Sequence, residues 1–164
     1  MFQLYIHKDK GLTDNLIDRC KRSGFKAMCL TVDTVVAGNR ERDHRWGFTT
    51  PPKLTLKSLL SFATHPMWSI NYLTHEKFQL ANVSHFTKKG SSIAKGVMEY
   101  INEQYDPKMN WQDAEYCIKR WGGPFAIKGV MSVEDAKRAV EIGASAIMLS
   151  NHGGRQLDGS RSPF

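Results

Sequence analysis

Two stretches of this chain, 119 residues apart, follow one plan, and that repetition constrains the fold more than any other feature of the sequence. In the first, the alternating run Phe2-Gln3-Leu4-Tyr5-Ile6 reads as a short strand. A helix follows with Leu16, Ile17 and Cys20 on its apolar face, Thr13 as its expected N-cap and Gly24 at its end. The apolar run from Ala27 to Val32 is the next strand. In the second stretch, Phe125 to Lys128 is a strand. Ser132 caps a helix with Val133, Ala136, Ala139 and Val140 on its apolar face, Gly143 ends it, and Ala146 to Ser150 is a strand again. A shift of 119 lays Gly24 on Gly143, Ala27 on Ala146, Leu30 on Leu149, Thr31 on Ser150 and Asp33 on His152. Continuous apolar strands suit a parallel sheet covered on both faces. Helical crossovers between such strands are right-handed. The expectation is an α/β fold with a parallel sheet.

A length of 164 residues with 41% hydrophobic content supports one domain with a real core. No run of eighteen apolar residues occurs, and the opening Met-Phe-Gln-Leu-Tyr does not read as a signal peptide. Cys20, Cys29 and Cys117 lie far apart without a paired spacing, which argues against a metal site or disulfide framework and favours a reducing compartment. The formal charge of +7 is spread along the chain and is not gathered into an aromatic-interleaved patch, so nucleic-acid binding has little behind it.

Residues 46–110 follow neither pattern. They open on Thr49-Thr50-Pro51-Pro52 and carry no strong strand signal. Leu54, Leu56, Leu59, Leu60 and Phe62 suggest one short amphipathic helix, read as core or lid in preference to membrane contact. Residues 91–100 suggest a second helix, and 111–121 a third. An insertion this long between strands reads as a lid or a docking surface.

Each expected strand ends in polar or ionisable groups. These are Gln3 and Tyr5, then Thr31 and Asp33, then Lys128, then Ser150, Asn151 and His152. In a parallel β/α barrel these ends converge on one face, where reactive groups read as catalytic. In Ser-Asn-His-Gly-Gly-Arg-Gln-Leu-Asp at 150–158, the two glycines let His152 and Arg155 face one site. A histidine takes a proton near neutral pH, and an arginine holds a carboxylate through paired hydrogen bonds. Together they suit deprotonation of a small carboxylic acid. Taken alone, Asp33 reads equally as a turn residue and Tyr5 as core. Arg40, beside Glu41, Arg42, Asp43 and Arg45, reads as part of a solvated charge run. The remaining histidines, at 7, 44, 65, 75 and 85, lack ligand spacing and read as surface.

The sequence resembles the FMN-dependent α-hydroxy-acid oxidase and dehydrogenase family, in particular its L-lactate dehydrogenase members. The resemblance rests on Phe-Gln-Leu-Tyr at 2–5, Leu-Thr-Val-Asp-Thr at 30–34 and Gly-Asn-Arg-Glu-Arg-Asp at 38–43. It continues through Thr-His-Pro-Met-Trp at 64–68, Asp106-Pro107 leading to Trp111, Gly-Pro-Phe-Ala-Ile-Lys-Gly at 123–129 and Ser-Asn-His-Gly-Gly-Arg-Gln-Leu-Asp-Gly at 150–159. It covers essentially all of residues 1–164, in the family's order.

The resemblance implies a partial TIM (β/α)8 barrel, about strands 3 to 6, with the long insertion after the second strand present. The chain is then expected to be an internal fragment of one barrel domain. The family's Asp-Gly-Gly-x-Arg and Gly-Arg segments, which hold the FMN phosphate, have no counterpart in it. Alone, such a half-barrel is expected to be unstable or to associate edge to edge. The implied reaction is oxidation of an L-2-hydroxy acid, L-lactate to pyruvate, with FMN as cofactor. His152 is implied as base, Asp33 as its partner and Tyr5 as a phenol on the substrate. Arg40 and Arg155 are implied as the carboxylate clamp. Lys128 is implied as the cation beside the flavin, with Gln3, Thr31 and Ser150 as polar contacts to its ring. Electrons would pass to a quinone or cytochrome from a cytoplasmic homo-oligomer, with peripheral contact at the inner membrane face through the basic insertion. The alternatives are an oxidase using O2, a non-catalytic half-barrel remnant and, on charge alone, a nucleic-acid binder.

Overall fold

Among the described residues four strands lie side by side in the order in which the chain makes them, and each of their pairings is parallel. The computed structural model describes residues 1–34, 36, 38–47, 54–75, 82, 103–157 and 159–164. The elements are β1 (Phe2–Leu4), α1 (Lys10–Arg22), β2 (Met28–Thr31), α2 (Glu41–Arg45), α3 (Leu56–Thr64), α4 (Pro66–Thr74), α5 (Trp111–Trp121), β3 (Phe125–Val130), α6 (Val133–Glu141) and β4 (Ala146–Leu149). A 3-10 turn at His152–Gly154 follows β4. The helix expected over 91–100 lies outside the described residues. Contacts divide the chain into two compact units, one of Met1–Asn39 with Ile101–Phe164, the other of Arg40–Tyr100.

Sequential order with right-handed crossovers sets α1, α5 and α6 on one side of the sheet. The strands present Leu4, Met28, Leu30, Phe125 and Ile127 to that side by alternation, all 1% exposed or less. Leu12, Leu16, Ile17 and Cys20 of α1, with Ala114, Cys117 and Trp121 of α5, complete the core. Burying a Leu or Ile side chain there stabilises the fold by roughly 1.5–3 kcal/mol each. All three cysteines are free and buried, and burial pushes the Cys117 thiol up to about 12.

Helix ends follow local chemistry. Asp9, not Thr13, caps α1: its carboxylate accepts from the N–H groups of Gly11 and Leu12. Thr13 is buried inside the helix, where its hydroxyl accepts from the His7 backbone N–H at 3.2 Å. Asn110 and Asp113 form a reciprocal capping box on α5, and Gly122 ends that helix in the left-handed region at φ 71°. Ser132 caps α6 as expected. The apolar face read for α6 is only partly covered: Ala139 is fully buried, but Val133 and Val140 are 65% and 63% exposed. Its neighbour β4 is the last strand of the sheet, with Ala146, Met148 and Leu149 exposed. Periodicity marks a face for burial, but another element has to supply the cover.

The Arg40–Tyr100 unit contains α3, with its Thr55–Ser58 capping box, and also α4, which the periodicity did not separate. Pro66 at the first position of α4 was the available signal. Neither helix buries a residue, so the expected core role of Leu54–Phe62 is not met among the described residues.

His7 departs from the surface position expected of it. It forms an isolated antiparallel bridge with Tyr105 and is half-buried, and its Nδ1 has no hydrogen-bond partner. His44, His65 and His75 are exposed, and His85 lies outside the described residues. Burial lowers the pKa of His7 below its ordinary value of 6.5, outweighing the opposing charge of Asp9. The unfolded chain therefore binds this proton more readily than the folded one. Stability from this residue is complete above about pH 6.5 and is lost as pH falls through that value toward the lower folded pKa. Thermal melts between pH 7.5 and 5 should show that decline, and His7→Gln should flatten it.

Candidate active site

The side of the sheet facing away from the helices carries the polar strand ends. Gln3 lies on β1 and Thr31 ends β2, and the Gln3 amide donates to the Thr31 hydroxyl at 2.7 Å. The same amide reaches the Tyr5 phenol oxygen at 3.0 Å. Burial raises the Tyr5 pKa, the hydrogen bond with Thr31 works against it, and the charge of Asp33 adds to the rise. Tyr5 therefore stays a protonated phenol at neutral pH and can donate a hydrogen bond.

Asp33 and His152 meet at the centre. Asp33 follows β2 by two residues, and His152 stands in the turn after β4. His152 Nδ1 lies 2.8 Å from Asp33 Oδ1, with side-chain exposures of 22% and 11%. With its hydrogen on Nδ1, His152 donates to the carboxylate oxygen, and the Nε2 lone pair is left for an incoming proton. His152 holds a left-handed backbone, φ 59°, unusual for a residue with a side chain. Neighbouring side chains hold the turn. Ser150 Oγ accepts from the His152 N–H at 3.0 Å, Asn151 Oδ1 accepts from the Gly154 N–H, and the Asn151 amide donates to the Arg161 carbonyl.

Lys128 approaches from β3. Its Nζ stands 3.6 Å from Asp33 Oδ2, an ion pair longer than a hydrogen bond, and Oδ2 has no hydrogen-bond partner. Gly129, next in β3, makes the approach of Asp33 feasible. Its φ is +105°, and a Cβ there would meet Asp33 Cβ at 2.7 Å and Asp33 Cγ at 2.9 Å. The pairing of β3 with β4 shifts register here, between Lys128 and Val130.

Two residues that sequence reasoning did not single out join the cluster. The Thr34 hydroxyl lies 3.2 Å from Asp33 Oδ1 and 3.2 Å from His152 Nδ1, and the Gln156 amide donates to it at 3.2 Å. Both stand inside the motifs at 30–34 and 150–159, but neutral polar side chains there carry no signal of charge or metal affinity. Among the other expected residues, Arg155 is exposed at the end of the 3-10 turn. Arg40 is exposed, forms the N-cap of α2 and belongs to the Arg40–Tyr100 unit. The structure thus gathers Asp33, His152 and Lys128 in one cluster and Gln3, Tyr5 and Thr31 in another, while Ser150 serves the backbone of His152. Among the described residues no group of three His, Cys, Asp or Glu side chains could hold a metal ion.

The family described as FMN-dependent dehydrogenase matches residues 1–164. An L-lactate dehydrogenase of Serratia proteamaculans is 40% identical over 159 residues, which is 96% of this chain and 41% of the relative. An L-lactate oxidase of Nostoc sp. is 43% identical over 159 residues, 97% of this chain and 38% of the relative. The chain thus spans about two fifths of the length of these relatives. Among solved structures, the monotopic membrane protein (S)-mandelate dehydrogenase superposes with a TM-score of 0.89 at 34% identity, over 99% of this chain and 42% of that one. The recombinant flavin-binding domain of baker's yeast flavocytochrome b2 gives 0.63 at 30% identity, over 99% and 29%. The expected partial (β/α)8 barrel is therefore the fold of this chain.

Gly129→Ala should destabilise the protein by roughly 1–3 kcal/mol, because the new Cβ strains the backbone and displaces Asp33. A thermal melt reads this directly. A substitution to the same residue at an exposed helical site, Gln112→Ala, should change the melting temperature little.

Proposed function

The chain belongs to the FMN-dependent dehydrogenase family, and we propose that it carries the base, the carboxylate clamp and part of the flavin contact of an enzyme that oxidises L-2-hydroxy acids, L-lactate to pyruvate foremost. The observation that carries this reading is the 2.8 Å contact of His152 Nδ1 with Asp33 Oδ1 at the carboxyl ends of parallel strands. Oxidation of a 2-hydroxy acid to a 2-oxo acid removes two electrons and two protons. His152 takes one proton at Nε2, Asp33 stabilises the imidazolium that results, and the second proton would leave with the electron pair to the flavin. Arg155 binds the substrate carboxylate. Arg40 shares that role on the strength of its place in Gly-Asn-Arg-Glu-Arg-Asp at 38–43. Tyr5, kept protonated by burial, donates to the substrate.

FMN supplies the two-electron acceptor. The donor set suits its ring: Gln3, Thr31 and Ser150 offer an amide and two hydroxyls, and Lys128 offers a cation not engaged in a hydrogen bond with Asp33. Such donors match the carbonyl edge of an isoalloxazine, where negative charge grows on reduction. Anaerobic mixing with L-lactate should bleach the flavin of the FMN-loaded protein. His152→Gln should slow this roughly 10²- to 10⁴-fold while the bound flavin spectrum stays. Equal bleaching rates in the two proteins would remove His152 as the base.

The acceptor we propose is a quinone or cytochrome, reached by a cytoplasmic protein in peripheral contact with a membrane. No helix among the described residues is long and apolar enough to cross one. Support comes from the Arg40–Tyr100 unit by itself. Leu56, Met67 and Leu73 are 75–79% exposed on α3 and α4, and the unit carries more basic than acidic residues. Phe62, Trp68 and Tyr72 stack with ring centroids 5.3 Å apart, a pattern that suits a lipid interface. Co-sedimentation with anionic vesicles should be lost in Met67→Glu/Leu73→Glu while lactate-driven bleaching stays intact. The Nostoc relative named an L-lactate oxidase supports O2 as a second acceptor, and comparing reoxidation by O2 with that by a soluble quinone separates the two.

A further inference from the structure

We propose that Thr34 and Gln156 form a positioning couple that locks His152 in the Nδ1–H tautomer, and that the couple sets the proton-accepting competence of Nε2. The proposal rests on the reading of His152 as base and names what orients it.

The Thr34 hydroxyl, only 8% exposed as a residue, has three polar neighbours at 3.2 Å: Asp33 Oδ1, His152 Nδ1 and Gln156 Nε2. A hydroxyl has one hydrogen to give and two lone pairs. The Gln156 amide nitrogen, Nε2, can only donate, so it takes one lone pair. Asp33 Oδ1 can only accept, so it takes the hydroxyl hydrogen. One lone pair remains, and it faces His152 Nδ1. That position is satisfied when Nδ1 carries a hydrogen, shared between Asp33 Oδ1 at 2.8 Å and Thr34 Oγ1. The opposite tautomer would turn the Nδ1 lone pair toward a carboxylate oxygen and a hydroxyl lone pair at once. Gln156 thus polarises Thr34, and Thr34 disfavours the wrong tautomer.

Gly38 explains why the Gln156 amide can stand there. A Cβ at position 38 would lie 2.6 Å from Gln156 Oε1 and 2.3 Å from the Arg155 carbonyl oxygen. The bare backbone of Gly38 therefore seats the side chain that reaches Thr34. The seat also fixes the carbonyl of Arg155, so the turn carrying the clamp residue and the tautomer of the base share one support.

The test compares Thr34→Val, which keeps the shape and loses the hydroxyl, with Thr34→Ser, which keeps the hydroxyl, and with Gln156→Leu. In the FMN-loaded protein with 15N-labelled histidine, the ring nitrogen shifts of His152 report the tautomer, with His152→Gln providing the assignment. Nδ1–H should dominate in the parent and in Thr34→Ser, and both tautomers should be populated in Thr34→Val and Gln156→Leu. Lactate turnover should fall about tenfold in kcat for those two with KM changed less than about twofold, and Thr34→Ser should restore it. Parent-like shifts in Thr34→Val, or a Thr34→Ser as impaired as Thr34→Val, would overturn the couple. Failure of the parent protein to turn over any 2-hydroxy acid would refute the reaction proposed above, and the nitrogen shifts would still decide on Thr34 and Gln156.

Discussion

Asp33 is an anion whose side chain is only 11% exposed, and the local architecture answers that constraint. A buried carboxylate is tolerated when neighbours supply hydrogen-bond donors or positive charge. β4 and its turn bring the His152 imidazole, β3 brings the Lys128 ammonium, and the residue next in sequence brings the Thr34 hydroxyl. Each arrives from a different part of the chain, so the charge is compensated only when three strands stand in register. Gly129 supplies the room, since no side chain fits where Asp33 packs against β3. The pair that suits proton transfer is also what makes this carboxylate bearable in the fold.

The sheet itself was plain in the sequence because its signals are local. Alternation, apolar runs and terminal glycines recur within a dozen residues, and the helix read over 111–121 has those bounds. The pairing of Asp33 with His152 was legible only through the resemblance, because nothing in Leu-Thr-Val-Asp-Thr announces a partner 119 residues away. Thr13 was misread as a cap because a threonine before an apolar periodicity looks like one. Asp9 stands one turn earlier and reaches two free N–H groups. Thr34 and Gln156 stayed hidden for a different reason. Their importance lies in hydrogen-bond bookkeeping around one hydroxyl, which composition does not display.

Exposure on the two units also reads differently from pattern. Val133 and Val140 keep helical spacing yet face outward beside the edge strand β4, and α3 and α4 carry apolar side chains with none buried. Spacing says which residues share a face. It does not say what that face meets, and among the described residues nothing lies over either one. Large apolar faces of this kind mark contact with something further.

Three contacts of the site span 118 to 122 residues: Thr34 with His152, Asp33 with His152, and Thr34 with Gln156. Cys29 and Met148, in van der Waals reach at 3.6 Å, are also 119 apart. Long-range closure is slow compared with local folding, so the order of events follows from these separations. On a ribosome the first βα unit emerges while Asp33 still has no imidazole to meet, and its carboxylate remains hydrated. Withdrawal of the charge from water waits until His152 has been synthesised. The site thus forms only once the chain has been made as far as His152, and its histidine–carboxylate pair records that β2 and β4 have taken their places in one sheet.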